Sequence, residues 1–540
     1  MRKISLIPFA FLFVLGCVEK VDLIVHNANV YTINADFDKV TAFVVNDGKF
    51  IAVGGEELMD KYTPRSVVDA QGLSVFPGLI DAHAHAFDLG LDLLKADLKG
   101  TKSFDEVIER LIKHRDTYNS ELVFGTGWDQ NNWENNKYPE KVKLDVLFPN
   151  TPVILKRIDG HAFFVNQFAL DKAGISADSK VNGGKVVLSN GQPSGLLIDN
   201  AMQLVEKIIP KPTQKEKIKA LIDAQTLCFE KGLTTIDEAG ISKEDVFLID
   251  SLQKAGVIKL RFYAMLENEK QTLDYFLNSG ILKTESLNVR SVKVYVDGAL
   301  GSRGAALKEN YSDDPNNKGL MLISSDSLNQ LALMLSKKSF QLNAHAIGDA
   351  ANHAVLTAYA TALKDVEDPR WRIEHAQVLS KEDFSKLNDK IIPSVQPTHA
   401  TSDMGWAHDR LGSSRMEGAY AYKDLLDWSG KLALGTDFPV EEVNPFLTFY
   451  SAVARKTPQS NDKGFQMKNA LTRYEAIKGM TIWGAYANFE ENEKGSIEPG
   501  KLADFIILDK DIMSVEIDQV LETNIVATIL NGNIVFSNRF

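Results

Sequence analysis

Eight short runs of aliphatic and β-branched residues, separated by longer stretches of helical periodicity, constrain this chain's fold more than any other feature. The runs fall at about 79–85, 234–239, 260–265, 292–297, 341–346, 371–376, 392–396 and 432–436, and helical patterns between them include 103–114, 214–230 and 327–339. A helical crossover returns the chain to the side from which it started, so successive strands joined this way run in parallel. Eight such units predict an α/β fold closed as a TIM (β/α)8 barrel.

Two parts of the chain break the rhythm. The interval 87–212 is far longer than an ordinary connection and carries its own strand-like runs, ELVFGTGW and PVILKRID, which predicts a long insertion after the first barrel strand, lying over the barrel mouth. The segment 20–75 consists of short alternating runs broken by Asn, Asp and Gly, and 490–540 repeats that texture, with Asn531-Gly532-Asn533 between its last two runs. Together they predict a small discontinuous β-sandwich domain around a barrel spanning 76–489. A chain of 540 residues, 44% hydrophobic and 24% charged, accommodates both units.

At the start of the chain, Arg2 and Lys3 precede an apolar run from Ile4 to Leu15 that is too short to span a bilayer stably, the pattern of an export signal. Val14-Leu15-Gly16-Cys17 resembles a bacterial lipoprotein cleavage box, although Leu15 is bulkier than usual there. The expectation is a lipoprotein-type signal peptide at 1–17 and an exported protein of the bacterial cell envelope, anchored to a membrane only through lipid on Cys17. The alternative is a plain secretory signal. Cys228 is then the one remaining cysteine, which excludes an internal disulfide.

The chemistry is concentrated at the carboxyl ends of the predicted strands, where barrel enzymes place their active sites. The first ends in His83-Ala84-His85, and alternate residues of a strand face the same side. The fifth ends near His345, the sixth near His375 and the eighth near Asp437. The fourth carries Lys293 within an apolar run, where a lysine is costly unless paired or modified. An isolated His-x-His would mean little; metal-competent side chains at several strand ends point to a divalent cation. His26, His114 and His353 lie on stretches that suggest bystanders, whereas His399 and His408 follow the seventh strand and could line the mouth.

In chain order, FPGLIDAHAH, GLTTIDEAG, VKVYVDGALGSR, NAHAIGDAA, WRIEHAQ, QPTHATSD and LGTDFPVE resemble the amidohydrolase superfamily. Within it, the likeness is to the amidohydrolase-3 branch, the YtcJ-like and N-substituted formamide deformylase group. The resemblance implies that His83, His85, His345, His375 and Asp437 are metal ligands and that Lys293, as a carboxylated lysine, bridges two ions. The alternative is an unmodified Lys293 paired with Asp297 or Asp437 in a one-metal site. Gly127-Trp128-Asp129-Gln130 and Arg157-Ile158-Asp159-Gly160-His161 match the family's substrate-facing cap, which makes Trp128, Asp159 and His161 substrate-binding candidates. Trp128 and Trp133 can equally pack the insertion. Arg303, in a Gly-rich loop after the fourth strand, joins the candidates as a guanidinium able to bind a carboxylate or carbonyl oxygen, or else forms a loop salt bridge.

The expected reaction is hydrolysis of a non-peptide C–N bond in a small amide, N-acyl, formamide or cyclic amide compound. A divalent metal would polarise the carbonyl and activate water, and Asp437 would take the proton and pass it on to the leaving nitrogen. Two zinc ions are the default for a histidine-rich site, with manganese, iron or nickel as alternatives. The same centre would also serve a lactone, ester or phosphoester hydrolase, or an isomerase; a lipoprotein that binds a small molecule without turnover needs no proton acceptor beside a complete ligand set. With a formal net charge of -12 and no basic stripe interleaved with aromatics, nucleic acid is excluded as the expected partner. A small-molecule substrate, with homo-oligomerisation open, remains.

Overall fold

The structure, a computed structural model, describes residues 19–539 apart from 94, 119–121 and 135. The expected signal peptide and Cys17 lie outside the described residues. Among the described residues, no helix is long and apolar enough to cross a membrane.

Eight parallel strands form a nearly closed barrel: Leu79–Ala84, Leu233–Ile241, Arg261–Glu267, Leu287–Tyr295, Gln341–Ala346, Trp371–His375, Ile391–Val395 and Ala433–Leu434. Most of their residues are buried, as expected of a sheet covered by helices on its outer face and filled by side chains within. All eight fall on the expected runs with bounds shifted at one or both ends in most, and two differ from the sequence expectation most. The fourth starts earlier and stops at Tyr295, leaving Asp297 beyond its end, where its carboxylate accepts backbone N–H bonds from Ala306, Ile347 and Gly348 at 2.8, 3.0 and 2.8 Å. The eighth is only two residues long. Single bonds past that short strand hold the seam to the first: Asp437 N donates to His83 O at 2.7 Å, His85 N to Phe438 O at 2.9 Å, and Thr436 N to the Asp81 carboxylate at 2.9 Å. The seam that closes the barrel therefore runs through the proposed ligands.

Between the first and second barrel strands, residues 96–199 build a separate six-stranded sheet whose central members are Ala162–Val165, Val153–Arg157 and Val123–Trp128. A further pair of sheets draws on both chain ends. Ser74–Pro77 pairs antiparallel with Phe505–Leu508, and Leu23, Val25, Phe43 and Phe50 of one sheet share an apolar core with Val75, Phe505, Ile507 and Ile529 of the other. The hairpin joining Ile525–Leu530 to Asn533–Ser537 turns on Asn531 and Gly532, both at positive φ (49° and 72°), the backbone that a two-residue hairpin turn requires and that Asn and Gly adopt most readily.

Candidate metal centre and its cap

The strand ends bring His83, His85, Lys293, His345, His375 and Asp437 to one cavity at the barrel mouth. The imidazoles form a chain, with ring centroids 5.5 Å apart for His83 and His85, 4.9 Å for His83 and His375, and 4.4 Å for His345 and His375. His375 and Asp437 both sit on left-handed backbone, at φ 72° and 61°. Non-glycine residues there cost of order 1–3 kcal/mol each and persist where the surroundings over-determine them. Here that backbone re-aims side chains that a regular strand would direct elsewhere.

Two of the candidate ligand histidines are oriented by a partner on Nδ1. His83 Nδ1 faces Glu374 Oε2, and His375 Nδ1 lies 2.8 Å from Gln396 Oε1. The opposite nitrogens turn inward. His83 Nε2 is 3.6 Å and His85 Nε2 3.2 Å from Asp437 Oδ1, and ligand atoms of His83, His375 and Asp437 lie within 4.8 Å of one another. His345 Nε2 is buried without a hydrogen-bond partner. That nitrogen is 3.7 Å from Asp297 Oδ1, and a buried ring nitrogen without a hydrogen bond, beside converging imidazoles and a carboxylate, fits a divalent cation well. The protonation states agree. Burial, reinforced by Lys293, lowers His83 to about 4 against the opposing pull of Glu374 and Asp437. Burial and neighbouring imidazoles hold His345 and His375 well below the usual range, the neutral form in which an imidazole can offer a lone pair to a cation. For Asp437 burial works the other way, but His83, His399 and His85 outweigh it and hold the carboxylate ionised.

Lys293 is 1% exposed, and its Nζ lies 2.9 Å from His83 Nε2. Among the described residues it forms no ion pair with Asp297 or Asp437. Burial pushes its ammonium down to about 8 although Glu374 and Asp437 oppose the shift, so that roughly a tenth of it is neutral amine at pH 7.

Two contiguous cavities, about 190 and 390 Å³, extend from this centre beneath the inserted sheet. Asp159 and His161 line both. His161 Nδ1 is 2.8 Å from Asp199 Oδ1, and its ring centroid is 5.4 Å from that of His345. Asp199 holds a strained backbone (φ 49°, ψ −128°) that delivers its carboxylate to the imidazole. Two candidates lie elsewhere. Trp128 is 1% exposed within the core of the insertion, against Trp133 and Phe164, with Nε1 donating to Leu155 O at 2.9 Å. The period-2 alternation of Val123–Trp128 turns it inward, and its indole N–H is already satisfied. Arg303 is held by Asp313 through Nε and a terminal nitrogen, at 3.1 and 2.9 Å, and forms a loop salt bridge rather than a cavity wall.

Residue-by-residue reading passed over Glu374 and Gln396, the partners of His83 and His375. Glu374 was open to the logic that singled out Lys293, a charge within an apolar strand. His399 does line the mouth, with Nε2 3.4 Å from Asp437 Oδ2 and Nδ1 3.0 Å from Glu441 Oε1. Those two carboxylates override burial and raise it to about 10. His408 is a helix residue bonded to Ser413 instead. His353 lies on Asp349–Ala362, paired with Asp383 at 2.9 Å.

A parallel barrel that gathers neutral imidazoles and an ionised aspartate at its carboxyl mouth defines a metal-dependent hydrolase. The chain belongs to the amidohydrolase family, whose model matches residues 66–536. It is 34% identical to YtcJ of Bacillus subtilis (strain 168) over 95% of this chain and 98% of that protein. It is 26% identical to an N-substituted formamide deformylase of Arthrobacter pascens over 95% of this chain and 97% of the relative. An uncharacterized metal-dependent hydrolase from Pyrococcus horikoshii shares the fold with a TM-score of 0.75 and 27% identity, over 92% of this chain and 99% of that one.

Proposed function

We propose that the protein hydrolyses a non-peptide C–N bond in a small amide, N-acyl, formamide or cyclic amide compound. The observation that carries this reading is the division of labour at Asp437: one carboxylate oxygen faces His83 and His85, the other faces His399 Nε2 at 3.4 Å. Amide hydrolysis needs a group that removes a proton from the attacking water and returns one to the departing nitrogen. Asp437 has an oxygen for that task outside the histidine cluster, and the His399–Glu441 pair beside it holds or supplies the proton. His161, oriented by Asp199, faces the same cavity and is placed to donate a hydrogen bond to the substrate, with Asp159 beside it. The deformylase relative, whose name specifies a C–N substrate, supports the choice of bond.

His83, His85, His345, His375 and Asp437 would hold the cation, and a carboxylated Lys293 would bridge two; zinc suits the donors, with manganese, iron or nickel as alternatives. A divalent cation held there would supply Lewis acidity toward the carbonyl and lower the pKa of water. We also infer, from the first seventeen residues, export to the bacterial envelope with lipid on Cys17.

The test begins with a hydrolysis screen over formamides, N-acyl amino acids and cyclic ureides, followed by Asp437→Asn on the best substrate. At matched metal occupancy, kcat should fall by about 10²–10⁴-fold, the usual worth of general acid–base catalysis. A near-wild-type kcat would show that the proton goes elsewhere.

A further inference from the structure

Charge is plentiful in the cleft and almost all of it is cancelled internally. Arg157 lies between Asp129 and Asp159, the latter at 2.5 Å. Lys156 opposes Asp88 at 3.7 Å, and Asp92 is paired with Lys95 at 2.8 Å. Glu441 accepts from His399, and Asp403 accepts from the Tyr420 hydroxyl at 2.8 Å. Lys99 is different. It lines both cavities together with His345, His375 and Asp437, its Nζ donates to the backbone carbonyl of Pro439, and among the described residues no carboxylate comes within 4.0 Å of that nitrogen. An ammonium has three donors, so two are left for something else.

The residue is also firmly held. Its backbone N donates to Asp97 Oδ1 at 3.0 Å, and its carbonyl accepts from Arg110 at 2.9 Å. Gly127, at φ 96° on the neighbouring strand, makes room for the stem: a Cβ there would lie 2.4 Å from Lys99 Cγ and 3.1 Å from its backbone N. The bond to Pro439 ties the ammonium to the loop that carries Asp437, two residues earlier. Of the carboxylates whose field reaches Lys99, Asp92 is paired with Lys95 and Glu441 with His399, while Asp97 and Glu442 are exposed, where solvent and salt screen them; Lys99 itself is half-buried.

We propose that Lys99 is the recognition cation for a carboxylate on the substrate, so that the amide hydrolysed is an acid-bearing one such as an N-acyl amino acid. The sequence pointed to Arg303 for this kind of task; Asp313 occupies that guanidinium, and Lys99 has donors to spare. The inference rests on the amide-hydrolase reading for the bond that is cut, but not for the anchoring of the acid.

The experiment is calorimetric titration of the metal-loaded protein with N-acetylalanine and with N-acetylalaninamide, a pair differing only in the carboxylate. The same titrations are run on Lys99→Met and Lys99→Gln, each first checked for a native melting transition. Charge-assisted hydrogen bonds in a partly desolvated cleft imply that wild type binds the acid about 10- to 100-fold more tightly than the amide. In both variants that ratio should collapse to within about threefold of unity. An acid that binds no more tightly than its amide to wild type overturns the proposal. A preference that survives in both variants does so too, because the carboxylate is then held by the metal centre or another group. Turnover of the same pair separates the two readings: hydrolysis of neither compound, alongside a Lys99-dependent acid preference in binding, sinks the choice of bond and leaves the anchor standing.

Discussion

Replacing Glu374 with glutamine tests whether the metal centre depends on a carboxylate that touches no ion. Glu374 is fully buried; it faces His83 Nδ1 through one oxygen and receives Arg372 Nε on the other at 2.7 Å. Arg372 in turn reaches Asp237 at 2.6 Å and Ser394 at 2.8 Å. In this arrangement His83 carries its proton on Nδ1 and keeps the Nε2 lone pair, which faces Lys293 Nζ at 2.9 Å, as the one a cation would use. A glutamine has one carbonyl oxygen. If that oxygen keeps Arg372, the amide N–H₂ faces His83 Nδ1 and drives the ring to the tautomer with hydrogen on Nε2, removing the lone pair the metal needs. Loss of such an orienting partner typically costs about 10–100-fold in metal affinity, or roughly 1.4–2.7 kcal/mol. Breaking a buried ion pair costs about 3–5 kcal/mol of stability. Here the lower end applies, because Arg372 keeps Asp237. Burial, with Glu374's charge adding to it, raises Asp237 to about 7, and that carboxyl ionises more fully once the neighbouring charge is gone. The assay is competition with a chelating indicator at pH 7, beside denaturant unfolding in excess chelator. Metal affinity within twofold of wild type, in a variant with native spectra, would refute the idea that Glu374 sets the His83 tautomer.

Two further outcomes follow from the geometry. At Gly435→Ala the new Cβ would lie 2.5 Å from His83 N and 2.8 Å from Asp81 Oδ1, wedging the first and last strands apart; stability should fall by about 1–3 kcal/mol together with metal affinity, and a denaturant midpoint equal to wild type would show that the seam is not tight. Glu490 is buried, which alone would raise its pKa, yet Lys494 at 2.7 Å and Lys283 hold it below the usual carboxylate range. Its contribution is present above the unfolded-chain value of about 4.3 and lost as the pH falls through the lower native one, so Glu490→Gln should lower Tm at neutral pH and flatten its fall between roughly pH 5 and 3. Parallel Tm–pH curves for variant and wild type would rule that contribution out.

The sequence by itself determined the barrel and the polar side chains gathered at its mouth. Strands buried on both faces read as short apolar runs, and a histidine, lysine or aspartate at their ends conflicts with burial in a way that only chemistry resolves, so His83, His85, Lys293, His345, His375 and Asp437 were legible one strand at a time. Tertiary structure decided what the remaining polar groups do, because that depends on partners far away along the chain. Arg303 and Lys99 are both cations near Gly-rich or turn-like segments, and nothing local says that Asp313 takes one while the other donates to the carbonyl of Pro439. Trp128 has a sequence setting that fits a cap wall equally well, and the pairing of its strand beside Val153–Arg157 is what turns it into the core of the inserted sheet. Glu374, Gln396 and His399 acquire their roles only when strands six and seven lie side by side and the loop after the eighth folds across them. Burial cost is a property of a residue and its immediate run, and so it is written in the sequence; the cancelling of one charge by another is a property of distance in space, which the closed barrel alone supplies.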